Sequence, residues 1–197
     1  MLEKVQVAIT TKQYRRNKIH PKKFALWAGI AGMIMLFAGF TSAYIVRQAS
    51  GNWLEFQLPN LFYFNTAVIL SSSFALQASY HFFKKGNEAL YKGLLVVTFL
   101  LGLIFLVLQY YGWTELMELG VDLGRNPSGD FVYVISGTHA AHVLGGIGAL
   151  FVAMGHAFGL KYKVTEKRKL RFELTLTYWH FVDFLWLYLV VFFTLQG

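Results

Sequence analysis

Five ionisable side chains near the C-terminus have the types and spacing that could support chemistry. Four are histidines and one is a carboxylate: His139, His142, His156, His180 and Asp183. The first two histidines are three residues apart, as are the last histidine and the aspartate, so each pair would share a helix face. Imidazole ligates metals and haem, and a nearby carboxylate can orient it. Three kinds of site follow: haem, metal or proton relay, and structural hydrogen bonds.

A haem site would need histidines from two helices. His142 and His156 are 14 residues apart, which places them about 21 Å apart on one helix face, a spacing suited to two haems stacked across a bilayer. No matching pair surrounds His180, because the residue fourteen positions further on is a threonine. A single haem between His180 and His139 or His142 stays open, as does a metal or proton relay built from these three histidines and the aspartate.

The third interpretation is a polar cluster that ligates nothing. His142 would lie about 16 Å below the outer end of its helix, and Asp183 about 13 Å above the inner end of the next helix. In a hydrocarbon core of ~30 Å these depths are similar. We therefore predict an interhelical polar cluster of His139, His142, His180 and Asp183, held by hydrogen bonds of about 0.6 to 2 kcal/mol each.

The elements that must hold these residues are membrane-spanning helices. Apolar residues make up 56% of the 197 residues and charged residues only 14%, against about 25% charged residues in a soluble domain. Five apolar stretches can each cross ~30 Å at 1.5 Å per residue. They cover residues 24–46, 61–83, 91–111, 131–158 and 174–195. Since continuous apolar runs exclude barrel strands, the predicted fold is all-α, a polytopic membrane bundle of five transmembrane helices.

Charge placement predicts the orientation of this bundle. All but two of the 18 basic residues lie before the first span, around the second join or in the fourth join. The opposite side has only Arg47 and Arg125, so the positive-inside rule predicts a cytoplasmic N-terminus and an external C-terminus. Residues 1–23 would form a basic cytoplasmic arm before a membrane domain at 24–197. Anionic lipid headgroups suit this arm, so no nucleic-acid partner is expected.

Small residues and the lack of cysteine add two further expectations. Glycines in the first and fourth spans predict close helix contacts. They are Gly29, Gly32, Gly39, Gly137, Gly145, Gly146 and Gly148. With no cysteine, the sequence excludes disulfides, iron–sulfur clusters and thiolate copper sites on this chain.

Four sequence strings, each on a different span, resemble one known family. THAAHVLGG at 138–146 and YWHFVDFLW at 178–186 resemble the last two helices of subunit III of the haem-copper terminal oxidases. FNTAVIL at 64–70 and LLGLIFL at 100–106, which is followed by Gln109, resemble its second and third core helices. Each string alone is weak, but four matches in order on successive spans make a specific signal. Within or beside these strings, Asn65, Gln109 and Trp179 are expected to make packing or lipid contacts.

The resemblance implies a non-redox integral subunit III of a proton-pumping, oxygen-reducing respiratory oxidase, a translocase. Haems and copper would lie in partner subunits I and II, and this chain would have no catalytic residue, cofactor or metal ligand. The family's subunit III supports complex stability and proton uptake and binds structural phospholipid. The expected partners are those subunits, membrane phospholipids and a larger respiratory supercomplex. The expected location is a bacterial inner membrane, with cytochrome c as electron donor and quinol as the alternative.

Two departures from the family limit what can be transferred. Longer members have seven helices and hold lipid in a cleft between the first two and the other five, whereas this chain has five spans. The family's first core helix commonly has a membrane carboxylate where this sequence has Met33, so any role of that carboxylate is not transferred. Two other functions stay open: a haem b-binding membrane anchor of another respiratory enzyme, and a small transporter.

Overall fold

The computed structural model describes residues 20–196 and contains five long helices. They are α1 (Pro21–Gln48), α2 (Asn60–Lys85), α3 (Glu88–Glu118), α4 (Pro127–Gly159) and α5 (Glu166–Gln196). Each helix contains one predicted span, and no strand occurs within residues 20–196, so the all-α prediction is confirmed. The predicted basic arm lies outside the described residues except for its last four positions.

Local capping signals set several helix ends. The side chain of Asn87 accepts a hydrogen bond from the backbone N–H of Leu90 (3.2 Å) at the start of α3. Asn126 does the same for Ser128 (2.9 Å) at the start of α4, just before a proline that suits the first helical turn. α2 ends at Gly86, whose φ of 88° is the left-handed conformation that terminates helices.

All five helices are longer than the spans that hydropathy predicts, and two of them extend furthest. α3 continues from position 111 to Glu118, and α5 begins at Glu166 instead of 174. The added turns are polar, so they can project from the hydrocarbon core while their backbone hydrogen bonds continue. Hydropathy marks the boundary of the membrane and not the end of the helix.

Helices α2 to α5 form a closed ring, and α1 lies outside it. In the ring α2 packs on α3, α3 on α4, α4 on α5, and α5 back on α2, whereas α1 packs on α4 and α5. The buried positions of α1 are Ile30, Phe37, Thr41 and Tyr44. Three of them are seven residues apart, which is the narrow contact stripe of a helix that touches its neighbours along one line.

Polar contacts at one end of α1 and further along it fix this helix against α5. Lys23 Nζ lies 2.7 Å from Glu173 Oε2 at one end. Thr41 and Tyr188 share a hydroxyl hydrogen bond of 3.0 Å further along α1.

The close contacts predicted for the glycines of α1 are absent, because a Cβ built at Gly29, Gly32 or Gly39 meets no atom of the described residues within 4 Å. Large side chains make the contact instead.

Candidate functional site

Trp179 of α5 contacts the other three helices of the ring. Its indole Nε1 donates to Ser72 Oγ of α2 at 2.9 Å. A Cβ at Gly102 of α3 would lie 2.8 Å from the indole ring, and one at Gly146 of α4 would lie 2.9 Å from it. Since no Cβ fits at these distances, both positions need glycine. The expected close approach of α4 is therefore made at Gly146, and Trp179 is a packing residue in the centre of the ring.

His139 is fully buried between α3, α4 and α5. Its Nε2 lies 3.1 Å from the backbone oxygen of Val182, so this nitrogen carries the proton and donates. The ring centroid is 4.9 Å from that of Trp186 and 5.9 Å from that of Phe105. Its Nδ1 is buried and has no hydrogen-bond partner among residues 20–196. The imidazole therefore joins α4 to α5 by one hydrogen bond and the contact with Trp186, and it packs on α3 through Phe105.

A chain of four polar side chains connects α5 to α2. Ser73 Oγ contacts both His180 Nδ1 (2.7 Å) and Asp183 Oδ2, and His180 Nε2 lies 3.2 Å from Gln77 Oε1. The single hydroxyl proton of Ser73 can serve only one neighbour. Because His180 Nε2 faces an amide oxygen, it donates to Gln77. Either a doubly protonated His180 also donates from Nδ1 to Ser73, which donates to Asp183, or a protonated Asp183 donates to Ser73, which donates to Nδ1 of a neutral His180. Asp183 Oδ1, at the buried end, has no hydrogen-bond partner in the part of the chain that the structure describes.

His142 takes no part in this chain. Its Nδ1 donates to the backbone oxygen of Thr138 in its own helix at 2.8 Å, and its ring centroid lies 5.7 Å from that of Phe37 in α1. Of the four residues predicted to form one cluster, the structure brings His180 and Asp183 together at Ser73, joins His139 separately to Val182, and leaves His142 apart. The rotation of α5 turns His180 and Asp183 towards α2, and the three-residue spacing defines a shared face without defining the helix it meets.

The histidines are not arranged as a ligand set in this geometry. His139 contacts α5 at the carbonyl of Val182, whereas His180 points from α5 towards α2, about 160° away around the helix. His156 donates from Nδ1 to the carbonyl of Val152 at 2.7 Å. Within residues 20–196, no three His, Cys, Asp or Glu side chains are placed to hold a metal ion.

Asn65 and Gln109 form a second buried polar contact, between α2 and α3. Asn65 Nδ2 donates to Gln109 Oε1 and to the backbone oxygen of Phe105, both at 3.2 Å. Both side chains are almost fully buried. Their remaining polar atoms, Asn65 Oδ1 and Gln109 Nε2, find no hydrogen-bond partner within the described residues. This pair therefore fixes the register of the two helices.

A cavity of about 530 Å³ lies where α4 and α5 are joined. Apolar side chains such as Phe83, Val152 and Phe172 line it, and Arg168 and Arg171 lie at the same end. Tyr162 closes one side by donating to the backbone oxygen of Phe83 at 2.5 Å. Burial raises the pKa of Tyr162, and the nearby negative charge of Glu88 adds to the effect, so the hydroxyl keeps its proton and donates.

Sequence comparison identifies the family. Residues 52–197 match the family described as cytochrome c oxidase subunit III, which is most of the chain. The chain belongs to the cytochrome c oxidase subunit III family. It is 30% identical to the probable cytochrome c oxidase subunit 3 of Mycobacterium tuberculosis H37Rv over 194 residues, which covers 94% of each chain. It is 28% identical to that of Nocardia farcinica over 193 residues, 91% of this chain and 90% of the relative.

One relative in this family is longer. Cytochrome c oxidase subunit 3 of Rattus norvegicus is 34% identical over 127 residues, which is 64% of this chain and 47% of the rat protein. The aligned part of the chain therefore spans about half of that relative. The match to the subunit III family confirms the resemblance found from the four sequence strings.

Some subunit III positions could be found from the sequence and others could not. Met33, at the expected carboxylate position, is partly buried on α1. Ser73, whose hydroxyl bridges His180 and Asp183, was not predicted from the sequence. A run of three serines at 71–73 does mark an unusually polar stretch of α2. Glu173 was also missed: it accepts from the hydroxyl of Tyr80 at 2.7 Å in addition to its ion pair with Lys23.

Proposed function

We propose that this chain is the non-redox subunit III of a proton-pumping, oxygen-reducing respiratory oxidase. The haems and copper belong to subunits I and II, and this chain supports the stability of the complex and proton uptake by its catalytic subunit. The observation that carries the proposal is that the polar groups inside the spans bond to the chain itself. His139, His180 and Asp183 each contact a side chain or a carbonyl of this chain.

The proposed setting is a bacterial inner membrane with the N-terminus in the cytoplasm. The basic residues in and next to the α2–α3 and α4–α5 joins support this orientation. They include Lys84, Lys85, Lys161, Lys163 and Lys167. The opposite end of the bundle has Arg47 and Arg125 among several acidic residues, which is the charge asymmetry expected across such a membrane.

Purification in mild detergent tests the proposed function. We expect a tagged chain to co-purify with subunits I and II, to carry oxygen uptake with cytochrome c as donor, and to show haem bands that disappear when the partners are stripped away. A stoichiometric haem b band in the isolated chain would instead indicate a haem-binding anchor. Purification without any oxidase subunit would reject the proposal.

We also propose that the cavity at the α4–α5 join binds a membrane phospholipid. Its volume of about 530 Å³ is within the ~300–1,000 Å³ of ligand pockets. The apolar walls fit an acyl chain, and the guanidinium groups of Arg168 and Arg171 can bind a phosphate. Hydrogen bonds hold both arginines beside the cavity. Arg168 donates to the carbonyl of Lys161 at 2.7 Å, and Arg171 donates to His156 Nε2 at 3.2 Å.

Lipid analysis of the purified oxidase tests this site. The double substitution Arg168→Gln and Arg171→Gln is expected to lower the amount of tightly bound phospholipid per complex, measured by mass spectrometry. Arg47→Gln is the matched control, since Arg47 lies at the other end of the bundle and donates to the carbonyl of Gly51. Equal loss of lipid in both variants would contradict the assignment.

A further inference from the structure

Gln77 places a carboxamide on the outer surface of the bundle at membrane depth. It lies eight residues before Lys85, the last residue of α2, and so about 12 Å from that end. Its partner His180 follows the Lys23–Glu173 ion pair by seven residues on α5, or about 10 Å. Both groups therefore lie well inside a ~30 Å hydrocarbon core, and Gln77 is exposed there.

The hydrogen bonds of this carboxamide are incomplete. Gln77 has one oxygen acceptor and two N–H donors. Its single contact in residues 20–196 joins Oε1 to His180 Nε2 at 3.2 Å. Lipid tails offer neither donors nor acceptors, so the remaining N–H groups would be left unpaired if hydrocarbon covered this face. A protein group must supply the missing acceptor.

Two other exposed surfaces within residues 20–196 show no such deficit. Ser71, also exposed on α2, donates to the backbone oxygen of Ala67 in its own helix at 2.7 Å. The outer face of α3 exposes apolar side chains, among them Leu100, Ile104 and Val107. Both arrangements are compatible with lipid. The unpaired N–H groups of Gln77 distinguish the α2–α5 side of the bundle from these two surfaces.

Large apolar side chains surround the polar groups on that side. Phe74 is 76% exposed and Phe184 is 70% exposed. Phe74 is three residues before Gln77, and Phe184 is four residues after His180, so helical spacing puts each beside its polar neighbour. Exposed aromatics around a polar centre are the composition of a protein interface.

We propose that this surface, defined by Phe74, Gln77, His180 and Phe184 and called here the α2–α5 face, docks a transmembrane helix of another oxidase subunit. That helix carries a hydrogen-bond acceptor, a side-chain oxygen or a free backbone carbonyl, at the depth of Gln77. The proposal rests on the proposed function, because it takes its partner from the oxidase complex.

Site-specific photo-crosslinking in native membranes tests the docking face. A benzophenone amino acid replaces Phe184, and in a matched control it replaces Ile104 on α3. Irradiation is expected to give a covalent product with another oxidase subunit from position 184 and none from position 104. A subunit product from 104 and not 184 would overturn the inference, as would lipid adducts or a dimer of this chain as the only products at 184.

A second pair of variants tests the role of Gln77 itself. Gln77→Leu is expected to lower the fraction of this chain that stays with the oxidase during detergent washing several-fold, whereas Ser71→Ala is expected to match the unaltered chain. Equal retention of the two variants would overturn the role of Gln77. Co-purification of the unaltered chain separates the two levels: if no oxidase subunit is recovered with it, the proposed function fails, and if one is recovered but the crosslinks map elsewhere, only the docking face fails.

Discussion

At Gly146 the space available for a side chain is already filled by the indole of Trp179. The substitution Gly146→Ala would put a Cβ 2.9 Å from that ring. Overpacking of a filled core costs about 1–3 kcal/mol. We therefore expect a lower melting temperature of the detergent-solubilised chain. Gly137→Ala is the control in the same helix, because its Cβ would meet no described atom within 4 Å; equal effects of the two variants would show that the indole contact does not matter.

Asp183 offers a test of structural against proton-transfer roles. Asp183→Asn keeps a polar group beside Ser73, so we expect normal assembly and nearly normal oxygen uptake. Asp183→Leu leaves Ser73 and His180 without this partner at a cost of about 1–3 kcal/mol, so we expect less chain recovered with the partner subunits. An Asn variant that assembles normally yet loses most oxygen uptake per haem would instead assign proton chemistry to Asp183.

The same residues show what sequence spacing can and cannot predict about the site. His180 and Asp183 were found as a pair because residues three apart share a helix face. Their partner Ser73 was not found, because spacing within α5 does not determine how that helix is rotated relative to its neighbours. Packing determines the rotation: Trp179 needs the space beside Gly102 and Gly146, and this turns the next residue towards α2.

At the scale of elements, the attachment of α1 depends on few side chains. Phe37 is 1% exposed and Met35 on the same helix is 75% exposed. We expect Phe37→Ala to weaken the docking of α1 on α4 and α5, since helix association in lipid depends on van der Waals packing and the substitution removes the ring that fills this contact. Met35→Ala should have little effect.

Crosslinking of cysteines placed at Thr41 and Tyr188 by a short bifunctional thiol reagent measures this docking. The hydroxyls of the two natural residues are 3.0 Å apart, and the reagent spans the space that the tyrosine ring occupies, which is too wide for a direct disulfide. The natural chain has no cysteine. The rate should fall several-fold with Phe37→Ala and stay unchanged with Met35→Ala. If both variants crosslink at the same rate, Phe37 does not hold α1 in place.

Hydropathy predicted the number of helices, their order and their apolar centres. It placed the start of α5 at 174 instead of Glu166 and the end of α3 at 111 instead of Glu118, because helical hydrogen bonds continue into polar sequence outside the membrane. It also gave no sign that α1 lies outside the ring. The hydropathy of α1 lies within the range of the other four helices. What sets α1 apart is which of its side chains pack on neighbouring helices.

At the scale of the whole molecule, single cysteines report the orientation in the membrane. Val164, in the α4–α5 join, is 47% exposed, and Leu123, in the α3–α4 join, is 63% exposed. With the positive-inside orientation, an impermeant maleimide added to intact cells should label Leu123→Cys and not Val164→Cys. Permeabilised cells, in which both should react, provide the control. Labelling of position 164 alone in intact cells would reverse the topology.

The position of α1 outside the ring also affects how the chain is made. Synthesis runs from the N-terminus, so α1 reaches the bilayer before the four helices of the ring, but the helices that it packs on, α4 and α5, follow α2 and α3. During translation α1 therefore waits in lipid, or beside the insertion machinery, until α5 has been made. A ribosome stalled before α5 would leave Thr41 without Tyr188 and Lys23 without Glu173. Docking of α1 can thus be complete only after α5 has been made.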